Sequence, residues 1–241
     1  MITKPRILLL DIETAPPTVY TSSLHDVNIG LEQLIAPSRV ICWAAKWLGR
    51  SEIYQVDERM GTGYMLGKIH TMLSESDAVI TYNGDRFDLP KLNGEFIQHR
   101  LPSLPPLTSI DLYKTVRQMG TISGKLAFIA PYLHIGKKMD AGGFKLWREV
   151  LQGNQKSWAK MLRYNAQDTR LLDGLYCRLR PYIRNHPYMS GGWPTDGKRE
   201  CPTCQSRKGQ HRGSRRTKSF LIQRIQCLGC RGWYDGTRKK A

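Results

Sequence analysis

Acidic residues are scarce in this chain. Its 241 residues include 20 Asp and Glu against 37 Lys and Arg, a formal net charge of +17 with a pI near 9.8. So large a basic surplus points to a polyanionic partner. Any apolar run long enough to span a bilayer is also missing, so no membrane association is expected. There is no internal repeat, and no heptad pattern offers a quaternary signal. No targeting segment is visible, and a cytoplasmic protein is expected. Cysteines number six. Without a secretory signal, disulfides are not expected, and Cys42 and Cys177 sit in apolar stretches that read as core. The length accommodates one α/β domain of about 180 residues plus a small appended module, and no polymerase domain.

Because acids are few, their settings carry information. Asp11 and Glu13 close the run Arg6-Ile7-Leu8-Leu9-Leu10-Asp11-Ile12-Glu13-Thr14, which Ala15-Pro16-Pro17 ends. Its length suits a buried strand. Positions 11 and 13 then face the same side and can reach one hard cation, or else mark a strand turning charged as it leaves the core. Asp88 follows a β-like run, Ala78-Val79-Ile80-Thr81-Tyr82, and an Asn83-Gly84 turn, at the apparent start of a helix. There it is either a site residue or an N-terminal cap, with Asp85 as a nearby decoy. Residues 158–172 show helical spacing, which puts Tyr164 and Asp168 on one helical face, as a site pair or a surface pair.

Taken in order, these residues resemble the DEDD superfamily of 3′→5′ exonucleases. Asp11-Ile12-Glu13-Thr14 resembles the first exonuclease motif. Residues 82–92, with Phe87-Asp88-Leu89-Pro90, are similar to the second, especially as found in proofreading domains of family B DNA polymerases. Tyr164-x-x-x-Asp168 resembles the third. Five positions before Asp168 stands Arg163, not His, which matches the tyrosine subclass. The resemblance spans residues 5–180. It implies an RNase H-like α/β fold, a mixed five-stranded sheet with flanking helices, and a two-metal site using Mg²⁺ or Mn²⁺. In such a site two ions about 4 Å apart activate the attacking water and stabilise the leaving oxygen. By resemblance, Asp11 bridges the ions, Glu13 and Asp168 complete the site of the attacking water, Asp88 supports the second ion, and Tyr164 orients the water. Thr14, Asn83 and Phe87 are implied contacts to the terminal nucleotide.

Between the motifs, residues 39–47 and 52–56 read as a hairpin following the first strand, 64–75 as an amphipathic helix, and 77–82 and 107–110 as further strands. That order suits the implied sheet. The exonuclease-like domain is therefore assigned to residues 1–183.

Periodicity stops near residue 183, and residues 184–198, rich in turn formers, are expected to be a linker. Residues 199–241 carry Cys201-x-x-Cys204 and Cys227-x-x-Cys230 with 22 residues between the pairs. Paired knuckles at this separation predict one structural Zn²⁺ held in a ribbon, with residues 219–226 as a ribbon strand. So short a module buries little core, and a metal supplies the stability it lacks. Residues 194–241 hold 13 Lys or Arg against 3 Asp or Glu. The densest stretch, with Arg207, Lys208, Arg212, Arg215, Arg216 and Lys218, is expected to be a loop that tracks nucleic-acid phosphates. Phe220, Trp233 and Tyr234 either offer stacking faces to nucleic acid or pack the small module, and packing is expected.

The sequence thus predicts a metal-dependent exonuclease acting on single-stranded DNA or frayed 3′ ends and releasing 5′-mononucleotides. A DNA replication or repair setting is expected, in a bacterium or a bacteriophage-infected host cytoplasm, with a separate DNA polymerase or other replication protein as partner. The alternatives are a 3′→5′ exoribonuclease, or a silent zinc-ribbon protein that binds DNA or docks on a polymerase.

Overall fold

The computed structural model describes residues 5–23, 25, 27–184, 186–187 and 199–240. Strand β1 (Ile7–Ala15) is the centre of the main sheet, and its residues 7–10 are buried on both faces. That explains a continuous apolar run where a half-exposed strand would alternate. After the short strands β2 (Thr18–Val19) and β3 (Leu34–Ala36), which pair with each other, come β4 (Arg39–Trp47) and β5 (Tyr54–Asp57). β4 runs antiparallel to β1, with Leu8 opposite Trp47 and a register shift between Glu13 and Thr14, and β5 closes the expected hairpin. The β2–β3 pair was not legible, since two- and three-residue strands carry no periodicity.

The chain then alternates: α1 (Thr62–Ser74), β6 (Ala78–Thr81), α2 (Asp88–Gln98), β7 (Thr108–Asp111) and α3 (Leu112–Val116). β6 and β7 are parallel to β1 and to each other, and the order across the sheet is β5-β4-β1-β6-β7. Three further helices follow: α4 (Leu126–Tyr132), α5 (Phe144–Leu151) and α6 (Gln155–Leu179). One sheet face packs Leu8, Leu10 and Trp43 against Met65, Leu66 and Ile69 of α1 and Leu92 and Phe96 of α2. The other packs Leu9, Ile80 and Ile110 against α3, α4 and the second half of α6. Near the β1 end, Ala15, Ile41 and Cys42 meet α5 and the first half of α6, with Tyr164 among them. This is the mixed five-stranded α/β arrangement that the sequence implied.

α6 begins cleanly because the Asn154 side chain accepts the Ser157 N–H at 3.1 Å. Lys46 pairs with Asp173, and the Thr169 hydroxyl donates to Ala44 O at 3.2 Å, so two side-chain contacts fix α6 to β4. Cys42 is buried as expected, but Cys177 is exposed, on the outward face of α6 beside buried Leu175 and Tyr176.

The tail forms a separate antiparallel sheet of β8 (Gly209–Arg216), β9 (Phe220–Cys227) and β10 (Trp233–Lys240), with β9 in the middle. The basic stretch expected to be a loop is therefore largely strand. All eight residues of β8 are exposed, so it has no apolar alternation to read. Most of the expected linker, 185 and 188–198, lies outside the described residues.

Candidate functional site

Two elements bring the acids together. β1 presents Asp11 and Glu13 on one face, and the middle of α6 crosses that face with Asp168. One oxygen from each of the three carboxylates lies within 4.8 Å of the others. Asp88 stands to one side: its Oδ1 accepts the Ile12 N–H at 3.1 Å. The parallel pairing of β1 with β6 covers only Ile7–Leu9, so beyond it the β1 edge is open and Asp88 satisfies it. Asp88 is the first residue of α2, and the preceding Phe87 provides no side-chain cap, so Asp88 binds the strand instead of capping the helix. Asp85, the decoy, is taken up by Ser109 and Lys114.

The turn before Asp88 is held by a residue that the sequence did not single out. Asp111, at the end of β7, accepts the N–H groups of Asn83 at 2.7 Å, Tyr113 at 3.0 Å and Asp85 at 3.4 Å. Asn83 has φ 65°, a left-handed conformation that asparagine tolerates. Gly84 is required beside it, because a Cβ there would collide with the Thr81 side chain. Asn83 lines an open cleft with Tyr82, Arg86, Tyr113, Lys125 and Lys138. Phe87 is half-exposed in the adjoining groove with Arg86 and Lys91, and Thr14 O accepts from Trp147 Nε1 at 3.1 Å.

Burial makes the acids hard to ionise. It raises Asp11 well above the usual carboxylate range, with the charges of Asp88, Glu13 and Asp168 adding to the effect. Burial first, and then Asp168, lift Glu13 to about 8. Asp88 rises to about 7 through burial, partly offset by the Ile12 N–H. Burial also raises Asp168, against the opposing pull of Lys138. Lys138 Nζ lies 2.6 Å from Asp168 Oδ2. Burial disfavours its charge, but Asp168 and the Tyr164 hydroxyl outweigh that and hold it protonated. Burial likewise pushes Tyr164 up to about 12, so its phenol stays protonated near neutral pH.

A second unanticipated residue is Asn165, fully buried, whose Nδ2 donates to Asp11 Oδ2 at 2.6 Å and Asp11 O at 3.0 Å. Asp168 Oδ1 is buried with no hydrogen-bond partner among the described residues. An orphaned carboxylate oxygen beside two further hard oxygen donors, all crowded and reluctant to ionise, fits a divalent cation. Asp11, Glu13 and Asp168 would hold it.

The four tail cysteines form a second cluster, with sulfurs within 4.8 Å of one another. Cys201 Sγ is 3.7 Å from Cys230 Sγ, and Cys204 Sγ is 3.5 Å from Cys227 Sγ. A disulfide requires about 2 Å, whereas sulfurs around one tetrahedral zinc lie about 3.8 Å apart. Burial opposes ionisation of Cys227, but N–H donation from Cys230 and Gly229 and the Cys204 contact bring it down to about 7. This donor set fits a thiophilic ion.

Of the basic residues, Arg212, Arg215 and Arg216 lie on β8, with Arg207 and Lys208 before it and Lys218 after it, all exposed. Tyr234 packs against the cysteines as expected. Trp233 and Phe220 do not: they are 52% and 37% exposed. With Tyr234 already packed against the four cysteines, the small module has no room inside for a second and third large ring.

A family model described as the RNase H superfamily matches residues 40–180, more than half of the chain. The chain belongs to the RNase H superfamily. Among solved structures, a family B DNA polymerase from the hyperthermophilic archaeon Pyrobaculum calidifontis is similar at 20% identity with a TM-score of 0.53, covering 74% of this chain. The chain spans only 25% of that polymerase. A search of curated proteins gave no match. Within this RNase H superfamily member, the acids lie where the middle of α6 crosses the central strand β1. No helix among the described residues is long and apolar enough to cross a membrane.

Proposed function

We propose that this protein is a metal-dependent 3′→5′ exonuclease of the DEDD tyrosine subclass, acting on single-stranded DNA or frayed 3′ ends. The observation that carries the reading is the convergence of Asp11, Glu13 and Asp168 beside Tyr164, with Asp88 alongside, in an RNase H-like sheet. When bound, two Mg²⁺ or Mn²⁺ ions would acidify the attacking water and offset charge on the leaving 3′ oxygen.

The protein's own groups then do the positioning. Asp11, fixed by Asn165, and Glu13 and Asp168 present hard oxygens from two rigid elements. Asp88 lies beside them for the second ion, locked onto the β1 backbone. Tyr164, held protonated, serves as a hydrogen-bonding guide for the water, not as a base. Asn83 and Lys138 line an open cleft through which a 3′ end would reach the acids, and Phe87, in the adjoining groove, and Thr14 are further proposed contacts to the terminal nucleotide. The four cysteines hold one structural Zn²⁺, residues 199–241 act as a basic ribbon joined by 184–198 to the nuclease domain, and a cytoplasmic replication or repair setting with a separate polymerase suits that layout.

The test is product analysis on matched DNA and RNA oligonucleotides with Mg²⁺ or Mn²⁺. Release of deoxynucleoside 5′-monophosphates from DNA supports the reading. Degradation of RNA alone would move the substrate assignment to RNA.

A further inference from the structure

The tail sheet has two unlike faces. Residues directly opposite each other across paired strands share a face, and residues alternate along each strand. By the register of β9 with its neighbours, one face carries Ile225 with His211 and Tyr234, and Leu221 with Arg216 and Lys239. Tyr234 ties this face to the cysteine cluster. The other face carries Gln226 with Trp233, Arg224 with Asp235, Ile222 with Arg215 and Arg238, and Phe220 with Lys240. Side-chain contacts agree with that assignment. The Arg224 guanidinium stacks 4.8 Å from the centre of the Trp233 ring, and Arg215 bonds Asp235 at 2.7 Å.

We infer that this second face is a stacking platform for single-stranded DNA, with Trp233 as its base-binding ring. The inference rests on the nuclease reading and adds a place for the strand outside the acidic site. Half of Trp233 is open to solvent, although indole is costly to leave exposed and the module has only this one tryptophan among its described residues. Four cations, Arg215, Arg224, Arg238 and Lys240, share its face along the strands with one acid, Asp235. Aromatic rings set among Arg and Lys on one sheet face match the chemistry of a polynucleotide, whose bases stack while its phosphates are neutralised. A duplex keeps its base faces occupied, so an exposed indole selects unpaired strands. The Arg224–Trp233 stack holds the ring in place and leaves its far side for a base.

The test uses the full-length, zinc-loaded chain carrying Asp11→Asn, with Ca²⁺ present, and labelled oligothymidylate observed by fluorescence anisotropy. Trp233→Ala should weaken binding about tenfold, and Trp233→Tyr should restore most of it. Arg224→Gln with Arg238→Gln should weaken binding more than Arg216→Gln with Lys239→Gln, which removes equal charge from the opposite face. The slope of log affinity against log salt should be about −3, for four phosphate contacts on a single strand. Zinc content is measured for every variant to establish that the ribbon is folded. Equal losses from the two double variants, no loss in Trp233→Ala, or tighter binding to duplex or to oligouridylate would overturn the platform. Retained cleavage of short DNA by Trp233→Ala in the otherwise native chain is expected. If binding is unchanged while Asp11→Asn still abolishes cleavage, the platform fails and the nuclease reading stands.

Discussion

Lys138 Nζ sits 2.6 Å from Asp168 Oδ2 and 4.8 Å from the centre of the Tyr164 ring. An ammonium thus rests against the buried acids and the phenol at once. Lys138→Met should destabilise protein kept free of Mg²⁺ and Mn²⁺ by about 2 kcal/mol, because a buried carboxylate loses its partner. Added Mn²⁺ should raise the melting temperature more in the variant than in the wild type. Equal melting curves for the two proteins without divalent ions would contradict this placement.

Stability without divalent ions should depend on pH in a defined direction. In an unfolded chain these carboxyls titrate near 4, while burial lifts Asp88 to about 7 and Glu13 to about 8. The folded protein therefore holds more protons than the unfolded chain between these values. Stability is fully present below about pH 4 and is lost as pH rises through 7 to 8. Melting temperature should fall from pH 5.5 to 8.5, and Asp88→Asn or added Mn²⁺ should flatten that slope. A level profile in the wild type would speak against the acids being crowded.

Asn165→Ala removes the amide that fixes Asp11 and should cost about 1 kcal/mol in stability. Because the amide positions a ligand and does not touch the strand, turnover should fall while KM changes little. A raised KM at unchanged turnover would instead assign Asn165 to substrate binding.

Replacing Cys201 and Cys204 with Ser should release one zinc per chain and melt residues 199–241 while the main domain stays folded. Residues 1–183 alone should still hydrolyse short oligonucleotides, because the apolar clusters of the main domain lie within that range. Loss of all activity with the ribbon would show that it completes the active site.

Much of this layout was legible in the sequence because it rests on short-range rules. Asp11 and Glu13 share a face through strand alternation, Tyr164 and Asp168 through helical spacing, and the four cysteines through paired knuckles. What escaped depends on contacts made only by folding. Lys138 lies between α4 and α5 in a stretch without periodicity, and nothing local marks it as the residue that reaches Asp168. Asp111 reads as the end of a strand, and its hold on the Asn83 turn spans 28 residues. Asn165 was hidden inside the third motif, where only its burial against β1 shows what it does. In the tail, charge density suggested a loop where β8 pairs with β9, and the expectation that Trp233 packs inward failed because the neighbouring Tyr234 takes the place against the cysteines.

The most direct test is digestion of 5′-labelled single-stranded DNA with Mg²⁺ or Mn²⁺, alongside Asp11→Ala. The account predicts a ladder that shortens from the 3′ end and is absent in the variant and without divalent ions. A ladder that persists in Asp11→Ala, or no cleavage of DNA or RNA by the wild-type protein, would contradict it.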